Sequence, residues 1–263
     1  MLQRRIVLVG GLGRTGRRIH DRLRARSVNA FGASRSTRPA FDWRDRATWP
    51  AALRGATAAY VAYHPSLAEP GAADDIGLFS SIAAEMGVEH IVLLSVHGGR
   101  RPRRAEERLR RAPLDHTILR ASWLAETFAE TALRDGVIGG DMTMPVTDFR
   151  EPFVSADDIA DAAVEALCDA AHLNRTYAIT GPRALRLSDA LAEIAAASGL
   201  TVRRQRGQGD AAMPGDAAPL PFAGPRGTRG GPVAGDLERI LGRKGLDFAD
   251  YVRRARAEGA WAR

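Results

Sequence analysis

The feature that most constrains this chain is at its start. The apolar run Ile6–Val9 leads directly into Gly10-Gly11-Leu12-Gly13-Arg14-Thr15-Gly16. A short continuous apolar run is the pattern of a parallel strand buried on both faces. Glycines at this spacing after such a strand serve three purposes: Gly10 permits a tight turn, Gly13 lets the backbone approach a pyrophosphate, and Gly16 lets the following helix pack closely on the sheet. The helix N-terminus then presents unpaired N–H groups and a positive dipole end to an anion. Gly11-x-Gly13-x-x-Gly16 satisfies the other common glycine pattern, so spacing alone leaves the subfamily open. An ordinary glycine turn is the alternative, and the strand–turn–helix context weighs against it.

Strand and helix patterns alternate through the first half. Val28–Ala33, Ala58–Ala62, Ile91–Leu94 and Thr117–Leu119 have strand character. Helical patterns lie between them: Ile19 and Leu23; Ile76, Phe79, Ala83 and Met86, ending at Gly87; and the polar stretch Arg103–Arg111. Such alternation predicts an α/β fold, a Rossmann-type doubly wound parallel sheet. In the second half, Ser155-Ala156-Asp157-Asp158 suggests a capping box opening a helix with Ile159, Ala163, Ala166 and Ala170 on one face. Thr176–Ile179 has strand character, Ser188 is expected to cap a helix, and Phe248–Ala257 forms a terminal helix. The Gly- and Pro-rich segment 207–235 is expected to be a loop or lid. The expected organisation is a dinucleotide-binding domain over 1–135 and a smaller, interleaved C-terminal substrate-binding part over 136–263.

A net charge of +7 raises nucleic acid as a partner. However, 38 basic residues include the single lysine Lys244, so the excess is an arginine bias. Arg100–Arg111 is the densest run; it contains Glu106 and Glu107 but no interleaved aromatics, which favours a solvated helix face over a nucleic-acid surface. The single cysteine, Cys168, excludes an intramolecular disulfide and suits a reducing compartment. It is expected to be a small core residue. The early arginines and glycines after Ile6–Val9 argue against a secretory signal, and no stretch approaches the roughly 18 apolar residues of a spanning helix. A cytoplasmic protein without membrane or nucleic-acid partners is expected, as a monomer or homodimer. The histidines show no metal-ligand spacing.

The end of the second strand bears on the choice of dinucleotide. A site for NAD wants an acidic residue roughly 20 residues beyond the glycines, to hold the ribose hydroxyls. This chain has Ala33-Ser34-Arg35-Ser36 instead. Arg35 can fork onto a 2′-phosphate, Ser34 and Ser36 can add hydroxyl donors, and Arg14 can reach the same group. NADP(H) is therefore the expected cofactor.

The stretch from Leu8 to Gly16 resembles the glycine motif of the NmrA-like atypical short-chain dehydrogenases/reductases. Ala33–Ser36, followed by Phe41-Asp42-Trp43, is similar to the bacterial branch related to ergot alkaloid biosynthesis reductases. Further similarity lies in Val92-Leu93-Leu94-Ser95, Thr117-Ile118-Leu119-Arg120, Asp158-Ile159-Ala160 and Tyr177-x-Ile179-Thr180-Gly181-Pro182. The resemblance implies that Thr15 lies in the phosphate loop and that Asp42 faces the adenine. It places Ala62, Tyr63 and His64 along the nicotinamide ribose, with Ser95 beside the nicotinamide. Trp123 and Phe128 would wall the substrate pocket. Ala121 stands where the family has proline, and Thr127 where asparagine is frequent.

Ordinary short-chain enzymes use Tyr-x-x-x-Lys, and no tyrosine here has a lysine four residues later. A proton for reduction must then come from elsewhere. His97 is the leading candidate, because it follows Ser95 and titrates near neutrality; a solvated loop histidine is the alternative. Tyr63 and His64 rank next. The expected activity is NADPH-dependent reduction of a small conjugated or aromatic substrate in secondary metabolism. The alternative is a redox-sensing regulator that binds NADP(H) without turnover.

Overall fold

The first strand, β1 (Arg5–Val9), is buried at every position after Arg5 and lies inside a six-stranded sheet. The computed structural model describes residues 4–97, 100–131, 133–144, 150–206 and 232–262. β1 pairs in parallel with β2 (Asn29–Ala33) on one side and β3 (Ala58–Ala62) on the other. β4 (His90–Val96) and β5 (Asp115–Ala121) extend the sheet in parallel beyond β3, and β8 (Arg175–Ile179) completes it. Spatial order is β2-β1-β3-β4-β5-β8, so the chain reverses direction of travel between β1 and β3. Open α/β sheets of this order bind ligands in the crevice at that reversal, outside the carboxyl ends of the strands.

The connecting helices are α1 (Arg14–Ala25), α2 (Trp49–Leu53), α3 (Ala72–Glu85) and α4 (Arg100–Arg110). Beneath α3, an aromatic cluster forms around Trp49 and Phe79, with Phe41 and Trp43 edge-on to Phe79 or to each other. On the other side, Arg22 and Arg26 of α1 pair with Asp161 and Glu165 of α6 (Ala156–Cys168). Cys168 is half-buried, and burial pushes its thiol up.

The chain forms two units: Met1–Ala121 with Ile159–Ala178, and Ser122–Asp158 with Ile179–Arg263. The second unit contains α5 (Leu133–Gly139), a parallel pair of β6 (Asp141–Met144) with β10 (Arg203–Arg206), and an antiparallel pair of β7 (Arg150–Glu151) with β9 (Leu185–Arg186). α7 (Leu187–Ser198), α8 (Asp236–Leu241) and α9 (Phe248–Ala257) complete it. Residues 207–231 of the expected lid lie outside the described residues.

Two helix starts differ from expectation. The Ser155 hydroxyl accepts from Asp157 N–H, but Asp158 does not close a capping box. Its carboxylate instead takes the Arg243 guanidinium and the Leu246 N–H, each at 2.7 Å. The buried Glu126 carboxylate takes over at that helix start, accepting from the Ser155 hydroxyl and Ala156 N–H. α7 begins one residue before Ser188, with the Asp189 carboxylate accepting from the Arg186 N–H. Among the described helices none is long and apolar enough to cross a membrane.

Candidate functional site

The glycine segment forms a closed turn between β1 and α1. Gly10 has a positive φ of 86° and donates to the Ala33 carbonyl, while Gly11 donates back to Leu8 and Gly13 to Gly10. A Cβ on Gly16 would sit 2.4 Å from the Gly10 carbonyl and 2.6 Å from Gly11 Cα, so this position accepts glycine alone. A Cβ on Gly11 would meet Gly32 Cα of β2 at 2.8 Å, a mutual approach of two glycines that the sequence motif does not specify. α1 starts on Gly13 with no side-chain cap and no acid in its first turn. The result is a backbone cradle with a positive dipole end, a fit for a diphosphate.

After β2, Ser34–Pro39 fold into a turn held by hydroxyls: Thr37 donates to the Ser34 and Pro39 carbonyls, and Ser34 and Ser36 hydroxyls lie 3.1 Å apart. Arg35 is exposed at this turn and pairs with no carboxylate among the described residues. Those donors fit a phosphate monoester. Arg14 lies in the first turn of α1, half-buried. Asp42 is engaged within its own loop, where its Oδ1 accepts from Arg44 N–H and its carbonyl from the Trp49 indole.

At the carboxyl end of β3, Ala62 faces Gly10, whose added Cβ would lie 3.1 Å from the Ala62 Cβ. Tyr63 donates to Asp75 Oδ2 at 2.8 Å and packs against Trp43 at 4.7 Å. Burial first, then the hydrogen bond and charge of Asp75, push its phenol well up, so Tyr63 holds its proton. His64 is exposed.

Ser95, near the end of β4, is fully buried and donates to Glu106 Oε1 at 2.7 Å. Its hydroxyl proton is thereby committed to α4, a role the motif does not disclose. Glu106 is itself fully buried and receives a fork from Arg120, with Arg110 at 3.4 Å. Burial works to raise the Glu106 carboxyl, but hydrogen bonds from Arg120 and Ser95 outweigh it and hold the group below its usual range. The parallel pairing of β4 with β5 sets Ser95 opposite Arg120 and so builds this network. His97, half-buried beyond β4, donates its backbone N–H to Ala121. Burial, then the charges of Arg120 and Arg103, lower its imidazole, which is therefore neutral at neutral pH.

Trp123 and Phe128 belong to the second unit. Trp123 is 4% exposed, donates its indole N–H to Thr127 Oγ1, and packs on Phe128 and Phe153. Phe128 is fully buried, enclosed by Trp123, Phe153 and Phe248, so it shapes that aromatic core without an accessible face. Nearby, Glu151 of β7 is fully buried; Oε1 accepts the Trp123 N–H at 3.0 Å, while Oε2 finds no partner among the described residues.

No family model matches the sequence. An agroclavine dehydrogenase of Claviceps fusiformis is 30% identical over 212 residues, which cover 72% of this chain and 71% of that protein. The chain belongs to the NmrA-like atypical short-chain dehydrogenase/reductase superfamily. An NAD(P)H azoreductase of Xenophilus azovorans is 26% identical over 227 residues, 75% of each chain. Prestalk A differentiation protein A of Dictyostelium discoideum is 27% identical over 202 residues, 70% of this chain and 66% of that protein. Among solved structures, a Citrobacter sp. triphenylmethane reductase complexed with NADP(H) superposes with a TM-score of 0.76 at 16% identity, covering 95% and 99% of the two chains. An Escherichia coli NADPH-dependent quinone oxidoreductase complexed with NADPH gives 0.73 at 17% identity, with the same coverage. These superpositions show that the fold matches over nearly the whole chain.

Proposed function

We propose that this chain is an NADPH-dependent reductase acting on a small conjugated or aromatic substrate, with a place in cytoplasmic secondary metabolism. The carrying observation is the pairing of the glycine cradle with the Ser34–Arg35–Ser36 turn. That turn offers a guanidinium, unpaired among the described residues, where a site for NAD would present a carboxylate. The Gly10–Gly16 backbone would hold the pyrophosphate, and Arg35 with the serine hydroxyls the 2′-phosphate. Bound there, the cofactor supplies a hydride. The named activities of relatives, a clavine dehydrogenase and an azoreductase, support reduction of a conjugated or nitrogen-containing acceptor and the ergot-type branch.

In this reading no Tyr–Lys dyad takes part. Tyr63 and Ser95 point their hydroxyls at Asp75 and Glu106, which leaves His97, among the described residues, as the side chain with an uncommitted ring at the end of β4. Neutral His97 can relay a proton from solvent, and its share of the charged acid form grows as pH falls. The second reading, an NADP(H) sensor without turnover, draws on one observation: the Tyr63 and Ser95 hydroxyls are both committed to carboxylates.

Titration of the purified chain with NADPH and NADH, followed by fluorescence, tests the cofactor. NADPH should bind more tightly, and Arg35→Ala should cost NADPH ~10-fold or more while leaving NADH unchanged. Equal affinities would overturn the assignment. A screen of quinones, enones, imines, azo compounds and ketones for NADPH oxidation separates the two readings: turnover that His97→Gln depresses supports the reductase, and silence with tight NADPH binding supports the sensor.

A further inference from the structure

A buried hydroxyl pair joins the sheet to the glycine cradle. Tyr60, in the middle of β3, is fully buried, and its Oη lies 2.8 Å from Oγ1 of Thr15 in the first turn of α1. We propose that Tyr60 is a positioning residue for cofactor binding: by donating to Thr15 Oγ1, it fixes the direction in which the Thr15 hydroxyl itself can donate. The proposal rests on the dinucleotide reading above.

The geometry alone permits either oxygen to be the donor. Burial raises the Tyr60 phenol well above its ordinary range, so it stays protonated across neutral pH. A buried phenol proton requires an acceptor, and a buried donor left without one bears the full desolvation cost of the group. Among the described residues, Thr15 Oγ1 is the acceptor within reach. If Thr15 were the donor instead, the Tyr60 proton would be stranded among the apolar residues of β3. Tyr60 therefore donates and Thr15 accepts.

With one lone pair taken by Tyr60, the Thr15 proton must point away from β3. Thr15 is 5% exposed and adjoins the glycine turn, where Gly13 brings no side chain and the first turn brings no acid. A phosphate oxygen in the cradle is the acceptor that fits. In the opposite polarity, Thr15 would turn lone pairs toward an anion and repel it. Tyr60 thus sets whether this hydroxyl attracts or opposes a pyrophosphate, without touching it.

The test uses fluorescence titrations of the full chain with NADPH and with adenosine 2′-monophosphate, which carries the 2′-phosphate but no pyrophosphate. Thr15→Val should weaken NADPH ~10-fold or more, in the range of a hydrogen bond to a charged group, and Thr15→Ser should restore wild-type affinity. Tyr60→Phe should weaken NADPH about fivefold, leave adenosine 2′-monophosphate within about twofold, and add nothing in the Thr15→Val background. An unchanged NADPH affinity in Tyr60→Phe overturns the inference, as does equal weakening of both ligands or a further loss in the double variant. A wild-type chain that binds no NADPH refutes the cofactor reading and this inference together; normal wild-type binding with an indifferent Tyr60→Phe refutes this inference alone.

Discussion

Replacing Glu151 by Gln isolates the energetic cost of one buried carboxyl. The group is fully buried in β7, holds one backbone hydrogen bond from Trp123, and leaves Oε2 unmatched among the described residues. Burial pushes its pKa up to about 7 from an ordinary 4.5, and the Trp123 N–H offsets only part of that rise. Among the described residues no charged side chain contributes to the shift. Between those two values the folded chain keeps a proton that the unfolded chain releases, so stability falls as pH rises. The stability is complete below about pH 4.5, declines toward pH 7, and has lost its full increment above that. At about 1.4 kcal/mol per pH unit, the interval corresponds to roughly 3 kcal/mol. Glu151→Gln keeps the shape and an acceptor for Trp123 but cannot ionise, and its unmatched amide N–H groups cost about 1 kcal/mol. Urea denaturation of both proteins at a series of pH values gives the comparison. The variant should be less stable than wild type by about 1 kcal/mol at the acid end and more stable by about 2 kcal/mol at the alkaline end. A difference that stays constant across the series would refute the burial argument.

Gly16→Ala would force a Cβ to within 2.4 Å of the Gly10 carbonyl, and the cost should be about 3 kcal/mol of stability together with loss of NADPH binding. Gly139→Ala, in α5 with open space around it, should be neutral or slightly stabilising in the same melts. Arg120→Met removes the fork on the buried Glu106 carboxylate and leaves it with Ser95 and the longer 3.4 Å contact to Arg110, and thermal melts should show a loss of about 3 kcal/mol. Arg103→Gln removes a cation that holds His97 down, so the imidazole midpoint followed by NMR should rise; an unmoved midpoint would show that Arg103 is electrostatically remote.

The parts of the molecule legible in the sequence are those encoded by near neighbours. Continuous apolar runs marked β1, β3 and β4, and the spacing of Gly10, Gly13 and Gly16 marked the turn, because strand burial and turn sterics depend on a few consecutive residues. The terminal helix Phe248–Ala257 emerged with the expected bounds for the same reason. Helix caps were less legible where a distant group competed. Asp158 had the right offset from Ser155, yet Arg243 and Leu246, brought in from the far end of the chain, took its carboxylate. Glu126 then filled the vacated role.

Sequence alone therefore determined that the chain folds as a doubly wound sheet with a glycine cradle and a basic, acid-free turn after β2. It also determined that the Tyr-x-x-x-Lys spacing is missing, since no tyrosine has a lysine four residues later. Only the tertiary structure decided the chemical state of the side chains around the strand ends. Pairing β4 with β5 turned Ser95 toward Glu106 and Arg120; packing α3 against β3 tied Tyr63 to Asp75. The fold set the buried Tyr60 hydroxyl 2.8 Å from that of Thr15 and, by burial, raised the Glu151 carboxyl toward neutrality. Proton affinity and hydrogen-bond direction depend on local desolvation and on partners far away in the chain, and neither is encoded in the residue or its immediate neighbours.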